Sequence, residues 1–387
     1  MKLKAGTGFS KAPGASDAGR EAAAMALAAL GGTPPALILV FTTPRYDLHR
    51  LLAAIRSATG DTPLLGATSS GEIVQGNHLG FGGGVAVLAL SAGPYRFGIA
   101  SASGIKGSLD QAGQDLARKS WDAAGPSNHA ALILLADSML GDLQHLVLGT
   151  YRVTGPGVPV VGGAASDEQK FVATYLFHND KVIEQGAAAL WVASPHRIEV
   201  VTRHGWSPMT APLLVTKVDG ADLLELGGRP AAAVYEERIG VPPGNLTADT
   251  FWNTSILHPF GLLQPDGSTL IRMARSKTAE GGLHLVGCVP PDGSAVQVMR
   301  GSADTLMAVS GEVARAAIEG NADAGVLLVF SCAARANIFK ERTGEEARRL
   351  QEAAGRIPVF GMHCCGEFAR VVGVLGTHNA TITAVAL

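Results

Sequence analysis

The strongest constraint on the fold of this chain is a unit of sequence that occurs three times. Each copy contains an apolar run, a helical stretch, a second apolar run that breaks at a glycine, and a closing apolar run. The copies cover residues 36–91, 131–194 and 325–387. Short unbroken apolar runs are typical of strands buried on both faces, and a strand, a helix and a strand at this spacing predict a crossover within one sheet. The sequence therefore predicts an α/β (mixed α+β) fold of repeated β-α-β-β units, with mixed sheets covered by helices.

Local patterns support this organisation. In the first copy, Leu48, Leu51, Leu52 and Ile55 recur at the spacing of one helix face. In the second copy, the segment YLFHNDKVIE at residues 175–184 has a two-residue turn between strand-like runs. This arrangement predicts a β-hairpin within the closing part of that copy.

Length and the position of the copies predict two domains. A chain of 387 residues is long for one core. Residues 1–30 are predicted to be a helical lead-in, residues 31–205 a first domain with two copies, and residues 212–387 a second domain with the third copy. The segment from about 212 to 320 differs from the copies and contains a predicted helix around residues 231–237.

Composition excludes several classes of protein. The chain is 47% hydrophobic and 17% charged, which is typical of a folded protein, and its net charge of −2 argues against nucleic acid as a partner. We find neither a signal peptide nor an apolar run long enough to span a membrane, so we expect no membrane association and a cytoplasmic location. The four cysteines form no CxxC pair, and we expect them to be reduced.

Five motifs occur in an order that resembles a known family. They are GATSSGE followed by GGGVAVLAL, the segment KVDGADLLELGGRPAAAVYEE, the downstream HPFGL, VFSCAARANIF, and a terminal Gly-x-x-x-x-Gly-Glu element. The chain thereby resembles the FIST family of bacterial sensory proteins, in which a FIST N domain precedes a FIST C domain. The resemblance implies sensing of a small ligand, proposed to be amino acids for the family generally.

One haem-binding branch of the family senses nitric oxide and is often paired with histidine kinases. The resemblance therefore also implies haem as a possible cofactor and a histidine kinase or another signalling protein as a partner. No kinase, cyclase or DNA-binding module is attached to this chain, so its output would act in trans. In many relatives, aromatic or hydroxyl-bearing residues occupy the positions of His363 to Cys365, as in FYTYGE.

The repeat predicts where a ligand would bind. Residues 66–72, 162–167 and 361–367 each follow the second strand of the crossover in their copy. Ligands commonly bind at the carboxyl ends of strands in sheets with β-α-β units. We therefore expect Glu72 and Glu367 to lie in loops near a common cleft between the two domains.

Two residue types could bind charged groups of a ligand. Glu72 and Glu367 could hold an amino group or a guanidinium, although carboxylates at glycine-rich turns are often solvated or cap helices. Arg335 could bind a carboxylate or a haem propionate through its planar fork, or could form a structural ion pair with Glu367.

His363 is the candidate ligand to a haem iron, because neutral imidazole is a common axial ligand. His145, His178 and His258 are the alternatives. Cys364 and Cys365 could bind iron as thiolates, but adjacent side chains rarely enter one site, so we expect one of them in the core.

Two other classes of function stay open. Cys365, His363 and Glu367 could form a thiol nucleophile with its base and orienting group, but three catalytic groups within five residues seldom reach the required geometry. We therefore expect no enzyme. A scaffold that docks a partner is the remaining alternative. The sequence specifies neither the ligand nor the oligomeric state.

Overall fold

Helices and strands follow one another in three similar runs along the chain. The computed structural model describes residues 2–242, 244–370 and 375–387. The helices are α1 (Ala15–Ala29), α2 (Leu48–Thr59), α3 (Leu109–Ala124), α4 (Gln144–Thr154), α5 (Ala231–Ile239), α6 (Ala248–Ser255), α7 (Ala303–Glu319), α8 (Ala333–Phe339) and α9 (Thr343–Ala354), with a short 3₁₀ helix at Lys340–Arg342.

The strands of the first two repeats are β1 (Ala5–Ser10), β2 (Leu37–Thr42), β3 (Leu64–Thr68), β4 (Glu72–Val74), β5 (Asn77–His78), β6 (Val85–Leu90), β7 (Arg96–Ser103), β8 (His129–Ala136), β9 (Val160–Ala164), β10 (Leu176–His178), β11 (Lys181–Ile183) and β12 (Gly186–Ser194).

The remaining strands are β13 (Val200–Arg203), β14 (Ser207–Pro208), β15 (Leu213–Asp219), β16 (Asp222–Leu226), β17 (Arg229–Pro230), β18 (Phe260–Leu263), β19 (Thr269–Arg272), β20 (Ala274–Lys277), β21 (Leu283–Leu285), β22 (Ala295–Arg300), β23 (Leu327–Cys332), β24 (Val359–Cys364), β25 (Glu367–Arg370), β26 (Thr377–His378) and β27 (Ile382–Ala386).

The predicted crossover is confirmed in all three repeats. The strand pairs β2 and β3, β8 and β9, and β23 and β24 are each parallel, and helices connect them. The closing strand of each repeat, β6, β12 or β27, runs antiparallel along the other side of the first strand. The predicted hairpin is also confirmed, since β10 and β11 pair across Asn179 and Asp180.

The three repeats exchange hairpins in a cycle. In the described part of the chain, the strands form three six-stranded sheets and one nine-stranded sheet. The hairpin β10–β11 of the second repeat extends the first sheet, β25–β26 of the third repeat extends the second, and β4–β5 of the first repeat extends the third. We call this arrangement the three-sheet ring. Strands from both predicted domains therefore share sheets.

A common core lies inside the three-sheet ring. Leu39, Ile133 and Leu328, one from each six-stranded sheet, belong to one buried apolar cluster. Two helices cover the outer face of each sheet: α1 and α2 on the first, α3 and α4 on the second, and α7 and α9 on the third. Along each strand, side chains that face the common core alternate with side chains that face the covering helices. This alternation is expected for sheets that are buried on both faces.

Each repeat begins one strand and one helix earlier than the sequence pattern indicates. β1, β7 and β13 each pair with the closing strand of their own repeat. The lead-in at residues 1–30 thus contains β1 as well as the predicted helix. Gly6 and Gly8 interrupt the apolar pattern of β1, so the pattern does not reveal this strand, but they also allow α1 to pack directly on it. A Cβ atom at Gly6 or Gly8 would lie 2.1 Å from a carbonyl oxygen of α1.

The nine-stranded sheet is an insertion within the third repeat. It is formed by residues 207–300, between β13 and α7, and we call these residues the inserted segment. Helices α5 and α6 pack against this sheet, and the helix predicted around residues 231–237 is confirmed as α5. Among the described residues, no helix combines the length and the apolar composition required to cross a bilayer.

Candidate functional site

The turns that follow the second strand of each repeat meet in a closed ring. Three equivalent backbone hydrogen bonds, each 2.9 Å long, join one repeat to the next. Ser166 N donates to Thr68 O, Ser70 N donates to His363 O, and Cys365 N donates to Ala164 O. The structure therefore brings together the three segments that the repeat pattern selected, although they form a buried junction instead of an open cleft.

The side chains at equivalent positions of this junction are Ser70, Ser166 and Cys365. The hydroxyl oxygens of Ser70 and Ser166 lie 2.6 Å apart and are buried. The Cys365 side chain is half-buried, and burial raises the pKa of its thiol to about 12. The junction is thus polar but carries no free thiolate at neutral pH.

Glu72 and Glu367 occupy equivalent places in their repeats but are not in exposed loops. Glu72 begins β4 and Glu367 begins β25, and both side chains are fully buried. Our expectation of loop positions is wrong, because the chain continues directly into the exchanged hairpins after the glycine. Each carboxyl group accepts a hydrogen bond from the residue three positions earlier: Ser69 Oγ at 2.7 Å and Cys364 Sγ at 3.3 Å.

Burial dominates the protonation of both acids. It raises the pKa of Glu72 to about 8 and that of Glu367 to about 7, and hydrogen bonds from their neighbours only partly oppose this effect. Glu72 Oε2 has no hydrogen-bond partner among the described residues. The Glu72 carboxyl group is therefore mainly neutral at pH 7.

Arg335 is held in a buried ion pair with Glu346. Its Nη2 and Nε atoms donate to Glu346 Oε1 at 2.6 and 3.1 Å, and both side chains are fully buried. The sequence leaves open a structural ion pair between Arg335 and Glu367, but Glu367 accepts hydrogen bonds from Cys364 and Thr381 instead. Glu346 was missed, although an acid beside Ala347 on the buried face of α9 is a signal for a buried partner.

His363 joins this ion pair from the neighbouring strand. Its Nε2 atom lies 3.0 Å from Glu346 Oε2, and the side chain is fully buried in β24. Burial disfavours the Glu346 carboxylate, but Arg335 and His363 outweigh this effect and hold the Glu346 pKa well below its usual value. His363 Nε2 is therefore occupied by a protein contact, whereas its Nδ1 atom has no hydrogen-bond partner among the described residues.

His78 links His363 to the protein surface. The two rings meet edge to face with centroids 4.8 Å apart. Burial, and then the neighbouring His363, lowers the His78 pKa to about 3, so that its imidazole is neutral at pH 7. Its Nε2 atom has no partner among the described residues, and Gly71 leaves room for it, because a Cβ there would lie 2.5 Å away.

The His78 side chain lines a cleft of about 1170 Å³. The loop after β5 forms one wall, while α6 of the inserted segment and α8 form the others. Phe81 and Leu257 present exposed apolar surface there, with 48% and 38% of each residue accessible. Lys340 and Glu341 place opposite charges at the same cleft. It is large enough for a small organic ligand.

A second, smaller cavity lies deeper in the protein. It has a volume of about 30 Å³ and is lined by Cys332, Cys364 and Cys365. Trp252 lines both this inner cavity and the cleft. Two hydrogen bonds between the amides of Gln169 and Asn337, at 2.7 and 3.1 Å, connect the inner cavity to the cleft wall. These side chains separate the two spaces.

The loop at the inner cavity adopts an unusual backbone. Glu168, Gln169 and Phe171 have φ angles of +60°, +62° and +56°, a region that costs energy for residues other than glycine. The Asp167 carboxylate holds the turn by accepting from the backbone N–H groups of residues 171–173. The Arg275 guanidinium packs between Phe171 and Trp252, 4.5 and 5.0 Å from their ring centroids. Backbone strain of this kind clusters at ligand sites.

The remaining predicted residues lie elsewhere. His145 is exposed on α4, His178 Nδ1 contacts Ser101 Oγ at 2.5 Å, and His258 Nδ1 contacts Thr254 O at 2.9 Å. In the part of the chain that the structure describes, no group of three or more His, Cys, Asp or Glu residues could hold a metal ion. Burial also raises the thiol pKa of Cys332 and Cys364 well above the usual value, which works against a thiol nucleophile.

Comparison with known proteins identifies two family domains. The FIST N domain matches residues 36–229 and the FIST C domain matches residues 231–370. An uncharacterized protein of Mycobacterium tuberculosis is 28% identical over 98% of both chains. An uncharacterized protein of Mycobacterium bovis is 28% identical over 58% of this chain and 59% of its own. A cyanuric acid hydrolase from A. caulinodans superposes with a TM-score of 0.30 and 12% identity, over 50% of this chain and 72% of the hydrolase.

Proposed function

This chain belongs to the FIST family, whose domains are generally sensory, and on that premise we propose that it senses a small molecule bound in the cleft beside His78. The observation that carries the proposal is the composition of the cleft walls. They come from the first repeat, the inserted segment and the third repeat, so that a ligand would contact segments distant in sequence.

The cleft suits a ligand with an apolar body and a charged end. Phe81, Trp252 and Leu257 offer apolar surface, while Lys340 and Glu341 offer a cation and an anion. The φ angle of Lys340 is +53°, another strained position at the same cleft. Amino acids with apolar side chains combine these features, since they carry a carboxylate and an ammonium group on one carbon. They are the first compounds to test.

Signalling requires that the ligand bind one conformation of the protein more tightly than another. Trp252 and the Gln169–Asn337 amide pair could change conformation when a ligand binds, because they separate the cleft from the inner cavity. A ligand that moved Trp252 would alter the packing between the inserted segment and the three-sheet ring. The partner we propose is a separate signalling protein such as a histidine kinase, in the cytoplasm.

Haem is the second ligand that the family resemblance raised. His363 does not fit the role of axial ligand, because its ring is buried in β24 and its Nε2 atom contacts Glu346. His78 is the imidazole on the cleft wall, and it is neutral at pH 7. The haem alternative therefore depends on His78, which sequence analysis did not select.

The test is a titration of the purified protein with L-leucine, L-phenylalanine and L-methionine, followed by tryptophan fluorescence and thermal stability. We expect a saturable change, because Trp252 lines the cleft. Phe81→Ser should weaken binding, whereas Met139→Ser, a change at an exposed apolar residue outside the cleft, should leave it unchanged.

A parallel titration with haem separates the two ligands. A saturable Soret shift that His78→Ala abolishes would favour haem. Amino-acid binding that His78→Ala only weakens would favour the first proposal. If a broad panel of small metabolites and haem both give no saturable response, the cleft is not a ligand site and the proposal fails.

A further inference from the structure

Arg272 is one of three fully buried arginines in the described part of the chain, and its surroundings differ from those of the other two. Arg335 is paired with Glu346. Arg370 Nη2 donates to Thr154 Oγ1 and to the carbonyl oxygens of Gly155 and Val158. Arg335 Nη1 and Arg370 Nε each lack a hydrogen-bond partner among the described residues, whereas Arg272 has two such nitrogens, Nε and Nη2.

The Arg272 guanidinium is fixed at the junction between the inserted segment and the three-sheet ring. Its Nη1 atom donates to Ile271 O and Thr377 O, both at 2.9 Å. Only 1% of the residue is exposed, and no acidic oxygen of the described residues lies within 4.0 Å to form an ion pair. A buried cation without a counter-charge is strongly unfavourable, so an anionic occupant would remove a real energetic cost.

A cavity of about 20 Å³ adjoins Arg272. A cavity of this volume can hold one water molecule or one ion of about the size of a halide. Asn379 also lines it. The Asn379 Oδ1 atom accepts from Met273 N, so the Nδ2 amide is left as a further donor. A Cβ atom at Gly366 would lie 3.5 Å from this Nδ2, which places the amide beside the cavity wall.

Glu367 lines the same cavity, and burial raises its pKa to about 7, so its carboxyl group is mainly neutral below pH 7 and does not neutralise Arg272 there. Its two carboxyl oxygens already accept from Cys364 Sγ and from the Thr381 hydroxyl. The Cys288 thiol lies close enough to Arg272 for this cation to favour its thiolate, but burial has the larger effect and raises the Cys288 pKa above the usual value, so the thiol supplies no negative charge at neutral pH.

We propose that this cavity is a binding site for a small monovalent anion of about the size of chloride, held by Arg272 Nε and Nη2 and by Asn379 Nδ2. The bound anion would join β19 of the inserted segment to β26 of the exchanged hairpin and would stabilise their junction. This site is separate from the cleft beside His78 and does not depend on the sensory function proposed above.

Two measurements test the anion site. The first is thermal stability in sodium chloride, sodium bromide and sodium gluconate at equal ionic strength. We expect a saturable rise in melting temperature with both halides and none with gluconate, which is too large for the cavity. The second is bromide anomalous diffraction from crystals of the whole chain, which should show a peak beside the Arg272 guanidinium.

Variants identify the residue responsible. Arg272→Met keeps the side-chain volume and should abolish the halide-dependent shift, while Asn379→Leu should weaken halide binding about tenfold, as expected for the loss of one charge-assisted hydrogen bond. Arg370→Met is the matched control, since Arg370 is equally buried but does not line this cavity, and it should keep the shift.

The wild-type protein alone can decide the question if Arg272→Met does not fold. Bromide crystals without a peak at Arg272, or equal halide shifts in wild type and Arg272→Met, would overturn the proposal. A peak at Arg272 together with a halide shift that is lost in Arg272→Met would establish it.

Discussion

The His78 ring packs edge to face against the His363 ring, with an interplanar angle of 87°. This contact connects the wall of the cleft to a buried network in which His363 and Arg335 both bind Glu346. A change at His78 can therefore reach the core of the third repeat through one contact.

Breaking the buried ion pair should strongly destabilise the protein. Arg335→Met leaves the Glu346 carboxylate buried without its main cation, and we expect a loss of about 3 to 5 kcal/mol in the free energy of unfolding. Urea denaturation measures this loss. The double variant Arg335→Met with Glu346→Leu should recover a large part of it, because no unpaired charge remains. A single variant as stable as wild type would show that the ion pair is not formed in solution.

Glu72 should make the protein less stable at alkaline pH. Its folded-state pKa of about 8 lies above the ordinary value of 4.5, so the folded protein binds this proton more tightly than the unfolded chain. This contribution to stability is complete below about pH 4.5 and is lost as the pH rises through 8. Glu72→Gln should therefore flatten the melting temperature between pH 5 and 9. The exposed Asp323→Asn is the control and should leave the profile as in wild type.

The cysteines should react slowly with thiol reagents. Cys332 and Cys364 are buried, and burial raises the pKa of Cys365 to about 12, so little thiolate is present at pH 7. Gln169→Ala removes the amide pair with Asn337 and should accelerate labelling of the inner cavity. Mass spectrometry after a timed reaction with iodoacetamide gives the rate at each cysteine. Rapid labelling of Cys365 in the wild type would revive the thiol-enzyme alternative.

Gly71 should be intolerant of a side chain. Its φ angle is +137°, and an added Cβ would lie 2.5 Å from His78 Nε2. Gly71→Ala should therefore displace His78 and cost about 1 to 3 kcal/mol of stability. It should also weaken any ligand that binds in the cleft. Gly157→Ala is the comparison, because nothing lies within 4 Å of its added Cβ and it should have little effect on either measurement. Equal effects of the two substitutions would contradict the assigned role of Gly71.

The apolar runs and helical spacings of the sequence determined the repeated unit. Burial of short strands on both faces and of one helix side follows from local patterns, so the parallel crossovers and the hairpin at residues 175–184 were predictable. The family motifs added the FIST assignment, and the alignment of the repeats predicted that the turns with Glu72 and Glu367 would lie near a common cleft. β1 was missed because Gly6 and Gly8 interrupt its apolar pattern.

The tertiary structure decided which repeat receives each hairpin and which side chains meet across the resulting junctions. Glu346 pairs with Arg335, His78 contacts His363 from another repeat, and Arg272 reaches Thr377 across more than one hundred residues. Local periodicity fixes only which face of an element is buried. Which residue lies against that face depends on how whole sheets pack. The free energy of burying an apolar side chain is nearly independent of which apolar surface covers it. The free energy of burying a charge, by contrast, depends on the individual atoms that the charge contacts.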